Sequence, residues 1–452
     1  MRLDYHRVHL VGAGGAGMSA IAKVLAGMGH EVSGSDQRGG STLDRLEDFG
    51  IATFAGHHPG IARTADLVVA SSAVPEHDPE LVAAGEAGVP VWRRPDLLAA
   101  LTAGITTLGA TGTHGKTTTT ALLIAALRAA GEDPSFIVGG DLVDWNTNGH
   151  HGTTPLLVIE ADEAFRTFEK LHLEGLIVTN VETEHLEHFG TDIDLMDAFV
   201  DVALGVHGPV VACADDPGSR EVAGRAGAVT YGMDPDADWR IVDLIAHDGG
   251  TRFELVGPSQ RAHVSLRRPG AHVAVNAAGA LALLGMMGRD IVAAATGLAS
   301  FRGVGRRWEQ RGTVSGVTLI DDYAHHPTEV AATVAVAKDF ARGRVWAVFQ
   351  PHLFSRTARF HDEFAGALSP ADEIVVTDVY GSREEPVPGV TGELVADSAR
   401  RRGASVHYVP HRVDLAEYLA RRVRPGDLVL TMGAGDVTLV PTELAKLLAE
   451  RS

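Results

Sequence analysis

A single cysteine, Cys213, stands among 452 residues. That scarcity excludes an intrachain disulfide framework and a cysteine-built zinc site, and it fits a reducing compartment such as the cytoplasm. The cysteine ends the apolar run of PVVACADD, where it reads as packing. Basic residues are also scarce: 39 Lys and Arg face 58 Asp and Glu, for a formal charge of −19. A surface of that sign does not coat nucleic acid. Anionic ligands must then be met by local devices: helix N-termini, Mg²⁺ and a few placed arginines. No stretch reaches the roughly 18 uninterrupted apolar residues of a membrane span, because Arg289 and Asp290 break the Ala-rich run around 271–299. The apolar N-terminus is no secretory leader either, since Asp4 and His6 precede it, Lys23 interrupts it and glycines punctuate it. The expectation is a soluble chain that inserts in no membrane. Short repeats and low-complexity tracts are absent.

What is present is glycine, 52 residues of it, in a chain that is 45% hydrophobic. This suits α/β layers joined by tight turns. The length predicts about two to four domains, since single cores rarely grow past roughly 250–300 residues. Short apolar runs alternate with Ala/Leu-rich stretches. RVHLVG precedes a helix predicted from Met18 to Met28, EVSGSD follows it, and ADLVVASSAV is a strand ending in a small-residue loop. The rhythm restarts at ITTLGATGTHGKTTTTALLIAAL and again after FRGVGRRWEQRG. Three α/β domains are expected, covering residues 1–101, 102–308 and 309–452, with ligands beyond the carboxyl ends of their strands.

Each domain places a motif at such an end. In the first, residues 12–17 read G-A-G-G-A-G between a strand and a helix, and Asp36 closes the next strand. Glycines let a backbone approach a diphosphate, the helix N-terminus offers N–H donors, and the acid can bind a ribose hydroxyl. The loop suits NAD and a UDP-sugar alike. In the second, G-T-H-G-K-T at residues 112–117 can wrap a phosphate, lay Lys116 on the β/γ oxygens and offer the Thr117 hydroxyl to Mg²⁺. The strict P-loop pattern wants a glycine where Ala110 stands, while the compact form is intact. Further on, LLVIEADEAF delivers Glu160, Asp162 and Glu163 at a strand tip, and LIVTNVETEHLEHFG delivers Asn180, Glu182, Glu184 and His185 at another. Carboxylates there can complete the magnesium shell of the nucleotide, and a histidine beside them can hold a second divalent ion.

These motifs, together with FRGVGRRWE, DDYAHHPTE, FQPHLFSRT and MGAGD, occur in an order and spacing that resembles the Mur ligases across all three segments. The resemblance is strongest to the members that join L-alanine to the carboxylate of UDP-N-acetylmuramate. It implies an ATP-dependent, amide-bond-forming ligase of peptidoglycan precursor synthesis, working through an acyl phosphate. It also implies a Rossmann-like N-terminal domain for UDP, a central P-loop domain for ATP and Mg²⁺, and a Rossmann-like C-terminal domain for the amino acid. Carried over, Gly12, Gly14, Gly15, Gly17, Asp36, Ser71 and Ser72 resemble the UDP-sugar site. Gly112, Thr113, His114, Gly115, Lys116, Thr117 and Thr118 resemble the ATP loop, with His272 and Asn276 on the adenine side and Arg307 reaching the phosphates. Thr117 and Glu160 resemble ligands of the ATP-bound magnesium, and His185 the ligand of a second one. Lys116, His185, Asp322 and His325 take the catalytic positions, and Arg356, read as lying in a strand-end loop, resembles the anchor for the amino-acid carboxylate.

The chain departs from the family pattern at Ala164 and Phe165, which remove a hydroxyl and a carboxylate, and at Glu184, Val273 and Leu353. No lysine occurs between Lys170 and Lys338, so the carbamylated lysine of several sister ligases is absent. Three other readings compete. One is a ligase that attaches a whole tripeptide to UDP-N-acetylmuramate. Another is a nucleotide-dependent sensor without ligase activity. The third, a nicotinamide-dependent oxidoreductase, leaves the P-loop, both acidic strand tips and DDYAHHP unexplained.

Overall fold

The run RVHLV is buried from its second residue onward and forms β1 (Arg7–Val11). A strand apolar on both faces needs cover on both, and parallel sheets obtain that cover from crossover helices. In the structure, a computed structural model describing residues 1, 3–183, 189–247, 249–382 and 384–450, β1 is the centre of a parallel sheet. Its neighbours are β2 (Glu31–Asp36), β3 (Ala52–Ala55), β4 (Leu67–Ala70) and β5 (Val91–Arg93), in the order β3-β2-β1-β4-β5. The first helix runs Ala16–Gly27, starting right behind the glycine turn rather than at Met18.

The second sheet has ten strands. In chain order they are β6 (Thr106–Thr111), β7 (Ser135–Leu142), β8 (Thr147–His150), β9 (Leu156–Glu160) and β10 (Gly175–Val178), then β11 (Val210–Cys213), β12 (Val229–Gly232), β13 (Trp239–His247), β14 (Gly250–Val256) and β15 (Arg261–Leu266). Their order is β15-β14-β13-β12-β11-β10-β6-β9-β7-β8. The middle is parallel, and both edges turn antiparallel, through β13-β14-β15 at one end and β7-β8 at the other. Their short connections allow only an antiparallel return.

The third sheet contains β16 (Glu309–Val314), β17 (Val317–Asp322), β18 (Val345–Phe349), β19 (Glu373–Val376), β20 (Val406–Tyr408) and β21 (Leu428–Met432). It is ordered β16-β17-β21-β18-β19-β20, parallel except for the β16-β17 edge. The architecture is α/β with three domains.

The chain forms two compact units: Met1–Arg267 with Ala271–Val304, and Arg268–Gly270 with Gly305–Ser452. Within the first, the helix Ala16–Gly27 packs on β7 and β8 of the second sheet, so one apolar cluster runs from Leu10, Ile21 and Leu25 to Ile137, Leu157 and Ile159. A polar contact is set into this seam. The buried Lys23 Nζ donates to Asn148 Oδ1 at 2.8 Å, and Asn148 Nδ2 donates to Ala16 O at 2.8 Å. Burial pushes the Lys23 pKa down, with Asp141 opposing it. Cys213 is buried and its thiol is pushed up to about 12, which makes it an inert packing group. Among the described residues, no helix is long and apolar enough to cross a membrane.

Candidate active site

β6 hands the chain to the loop at residues 112–117. Gly112 sits at φ +130° and Gly115 at φ +81°, conformations that favour glycine. The helix Lys116–Ala129 follows with Gly115 as N-cap and no capping side chain, so its first-turn N–H groups are available to a ligand. The tip of β10 pins the loop from outside. Thr113 N donates to Asn180 O at 3.0 Å, His114 N to Asn180 Oδ1 at 2.7 Å, and Glu182 N to Thr113 Oγ1 at 2.8 Å. Asn180 and Glu182 thus lie against the loop. Glu184 and His185 fall outside the described residues.

Lys116 Nζ donates to Gly112 O at 2.7 Å and to both oxygens of Glu163 at 2.8 Å, and it lies 3.9 Å from Asp162 Oδ1. Glu163 is buried, and desolvation pushes its carboxyl up while Lys116 gives the largest opposing effect. Of the acids in EADE it is Glu163 that grips the lysine. Glu160, at the end of β9, accepts from Gly139 N at 2.5 Å. Asn276, on the helix Ala271–Met286, stands against the loop, since a Cβ on Gly115 would lie 3.1 Å from its Oδ1. His272 is exposed one turn earlier on that helix. The Thr111 hydroxyl under the loop is enclosed and lacks a hydrogen-bond partner among the described residues. Uncapped amides, this hydroxyl and the lysine suit a polyphosphate, and Thr117 and Glu160 carry oxygens of the kind that Mg²⁺ prefers.

The glycine turn of the first sheet is built in the same way. Gly12 N and Ala13 N both donate to Ser35 O at 2.8 Å, and Asp36 Oδ2 accepts from Gly14 N at 3.0 Å. Asp36 therefore braces the turn at the carboxyl end of β2. Ser71 lies against Gly12, whose Cβ, if present, would stand 3.0 Å from that of Ser71. Ser72 Oγ is enclosed without a partner among the described residues, and the helix Ala16–Gly27 carries no capping side chain. Gly12, Gly14, Asp36 and Ser71 thus meet beyond the carboxyl ends of β1, β2 and β4.

In the second unit, Asp322 ends β17. Its Oδ2 accepts from Trp308 N at 2.6 Å and its Oδ1 from Ala324 N at 2.8 Å. Burial pushes this carboxyl up to about 6, with the Arg307 charge opposing most strongly. Arg307 and His325 meet at Glu329, whose carboxylate lies 3.4 Å from Arg307 Nη1 and 3.1 Å from His325 Nδ1. Arg306, passed over in the sequence, reaches back to the MGAGD loop, donating to Gly433 O at 2.6 Å and Gly435 O at 3.1 Å. Arg356 is half-buried in the first turn of the helix Phe354–Leu368, not in a loop, so the end of β18 and a helix together aim it.

These positions all lie in stretches that match known families. Residues 7–106 match the Mur ligase family, catalytic domain; residues 110–284 match the Mur ligase middle domain; residues 306–435 match the Mur ligase, glutamate ligase domain. The chain is 47% identical over 464 residues to the UDP-N-acetylmuramate–L-alanine ligase of Kineococcus radiotolerans, covering 98% of this chain and 97% of that one. The UDP-N-acetylmuramate-alanine ligase MurC of Thermotoga maritima has a similar crystal structure, with a TM-score of 0.86 at 29% identity over 99% of this chain and 100% of that one. A murein peptide ligase from Psychrobacter arcticus shares the fold less closely, with a TM-score of 0.72 at 24% identity over 98% of both chains.

Proposed function

The chain belongs to the Mur ligase family, and we propose that it joins L-alanine to the carboxylate of UDP-N-acetylmuramate at the expense of ATP, in the cytoplasmic synthesis of peptidoglycan precursors. One observation carries the reading at the level of chemistry. Lys116 lies inside an uncapped phosphate-type loop, with Glu163 and Asp162 at 2.8 and 3.9 Å. Attachment of a tripeptide is not favoured, because the fold is more like the alanine ligase than the murein peptide ligase.

A carboxylate is a poor acyl donor because its leaving group would be oxide. Transfer of the γ-phosphoryl group of ATP makes an acyl phosphate, whose leaving group is phosphate, and the amine of L-alanine then attacks through a tetrahedral intermediate. Charge grows on oxygens at both steps, so the machinery is mainly positioned cations and N–H groups. We assign Gly12, Gly14, Gly15, Gly17, Asp36, Ser71 and Ser72 to the UDP-sugar. The loop at residues 112–118 takes the ATP phosphates, with Asn276 and His272 on the adenine side. Lys116 stabilises the migrating phosphoryl group. Thr117, Glu160 and His185 are the residues that would hold Mg²⁺, which would screen the gathered anionic oxygens. In the second unit we assign Arg307 to the nucleotide phosphates, Asp322 and His325 to the reacting groups, and Arg356 to the amino-acid carboxylate. The domain bounds proposed with these roles are 1–101, 102–308 and 309–452.

Phosphate release by the purified chain tests the reading, with ATP, UDP-N-acetylmuramate and L-alanine each left out in turn. Release should need all three. Release with the tripeptide but not with L-alanine would replace the substrate, and tighter binding of NAD than of the UDP-sugar would overturn the glycine-turn assignment.

A narrower prediction concerns Arg356. One guanidinium grips both oxygens of a carboxylate and so fixes the direction of amine attack. Arg356→Lys keeps the charge but loses the fork. The KM for L-alanine should rise by about tenfold or more, with those for ATP and the UDP-sugar little changed. A parallel rise in the KM for ATP would move Arg356 to the nucleotide.

A further inference from the structure

Arg94 opens the helix Arg94–Thr102 directly behind β5 and is held firmly from below. Arg93 N donates to Asp96 Oδ2 at 3.1 Å, and Asp96 Oδ1 accepts from Lys170 Nζ at 2.6 Å, which ties this helix start to the second sheet's domain. From that footing the guanidinium faces two ways. On one side it lies on the start of the helix Ala16–Gly27, where a Cβ on Gly17 would stand 2.9 Å from Nη1. On the other, Nη2 is 3.4 Å from Asp162 Oδ2, and the second oxygen of Asp162 is 3.9 Å from Lys116 Nζ. Arg94 Nε is enclosed and has no hydrogen-bond partner among the described residues.

The electrostatics of this arrangement are incomplete. A helix N-terminus is the positive end of its macrodipole, so a guanidinium placed there faces like charge. The helix Ala16–Gly27 has no acid in its first turn and no capping side chain to relieve it. Asp162 accepts only a long hydrogen bond from Nη2, at 3.4 Å, and is shared with Lys116. A largely buried cation with an unanswered N–H beside uncapped amides calls for an anionic oxygen between them.

We propose that Arg94 binds an anionic oxygen of the substrate held on the glycine turn, while Asp162 steadies the far edge of the guanidinium. One side chain then ties the UDP-sugar to the strand tip that faces Lys116. The inference rests on the reading of the glycine turn as the UDP-sugar site. Two parts of that substrate carry such oxygens, its diphosphate and its carboxylate.

Calorimetry on the full chain separates the cases, using UDP, UDP-N-acetylmuramate and ATP with the wild type, Arg94→Ala and Arg94→Lys. Arg94→Ala should weaken UDP-N-acetylmuramate by about tenfold or more, Arg94→Lys should recover part of the loss, and ATP binding and the melting temperature should hold. A matching loss for UDP assigns the contact to the diphosphate, and an unchanged UDP affinity assigns it to the carboxylate. Unchanged affinity for UDP-N-acetylmuramate in Arg94→Ala overturns the proposal, as does an equal loss of ATP affinity. A wild type that binds neither uridine ligand overturns the glycine-turn reading, and this inference with it.

Discussion

Lys116→Ala should lower turnover by roughly 10³-fold or more, the size of loss seen when one preorganised electrostatic group is removed from charge developing in a transition state. The ammonium is the cation that the loop closes around, touching Gly112 O and both oxygens of Glu163. Its removal strands Glu163, which is buried and whose carboxyl is already pushed up by desolvation. Without its cation that carboxyl is pushed up further, towards its neutral form, which eases the cost of keeping it buried. The fold should therefore survive while the chemistry fails. Phosphate release at saturating substrates, read beside the melting temperature, checks both halves. Near-normal ligation by a well-folded variant would take the lysine out of phosphoryl transfer.

Gly112→Ala should be nearly as damaging, by a different route. The residue sits at φ +130°, and a Cβ there would collide with the Thr179 hydroxyl and lie 2.7 Å from Asn180 O and 2.9 Å from Asn180 N. Those neighbours are the Thr179 side chain and the backbone just past β10 that anchors the loop, so they cannot give way without releasing Thr113 and His114. The left-handed conformation costs about 1–2 kcal/mol for a residue with a Cβ, and overpacking adds about 1–3 kcal/mol. A loss of about 2–5 kcal/mol is expected in urea unfolding, accompanied by loss of ATP binding. If Gly112→Ala melts with the wild type and binds ATP normally, the loop does not hold the nucleotide in this conformation.

What the sequence made legible was local. A glycine turn between a strand and a helix, a lysine after it, and acids at strand tips are each specified within a few residues, because the backbone conformation they need is set by their immediate neighbours. The motifs at residues 12–17 and 112–117 accordingly stand where expected. The illegible part is made by tertiary contact. Nothing near Arg94, Lys23 or Asn148 in the chain marks them, and they matter because elements far apart in sequence meet there. In EADE the alternation of a strand tip does not say which acid turns inward, and the fold chose Glu163 for the lysine. Of the two adjacent arginines 306 and 307, only the position of the loop at residues 433–435 shows that Arg306 braces backbone. The antiparallel edges β7-β8 and β13-β14-β15 escaped for a related reason: apolar alternation marks a strand but carries no direction of pairing.

The seam around Lys23 and Asn148 also bears on how such a chain can be taken apart or recombined. A cut near residue 101 looks like a cut through a linker, yet it would strip the helix Ala16–Gly27 of its β7-β8 cover, split the apolar cluster that holds Ile21, Leu25 and Ile137, and leave a buried ammonium facing water. The module built on the first sheet is therefore not a detachable cassette. A foreign module spliced in at that point has to bring a helix matched to the β7-β8 hairpin, or the hairpin must travel with it. Exchange of this module between relatives is therefore constrained by the shared wall as well as by whatever the module binds.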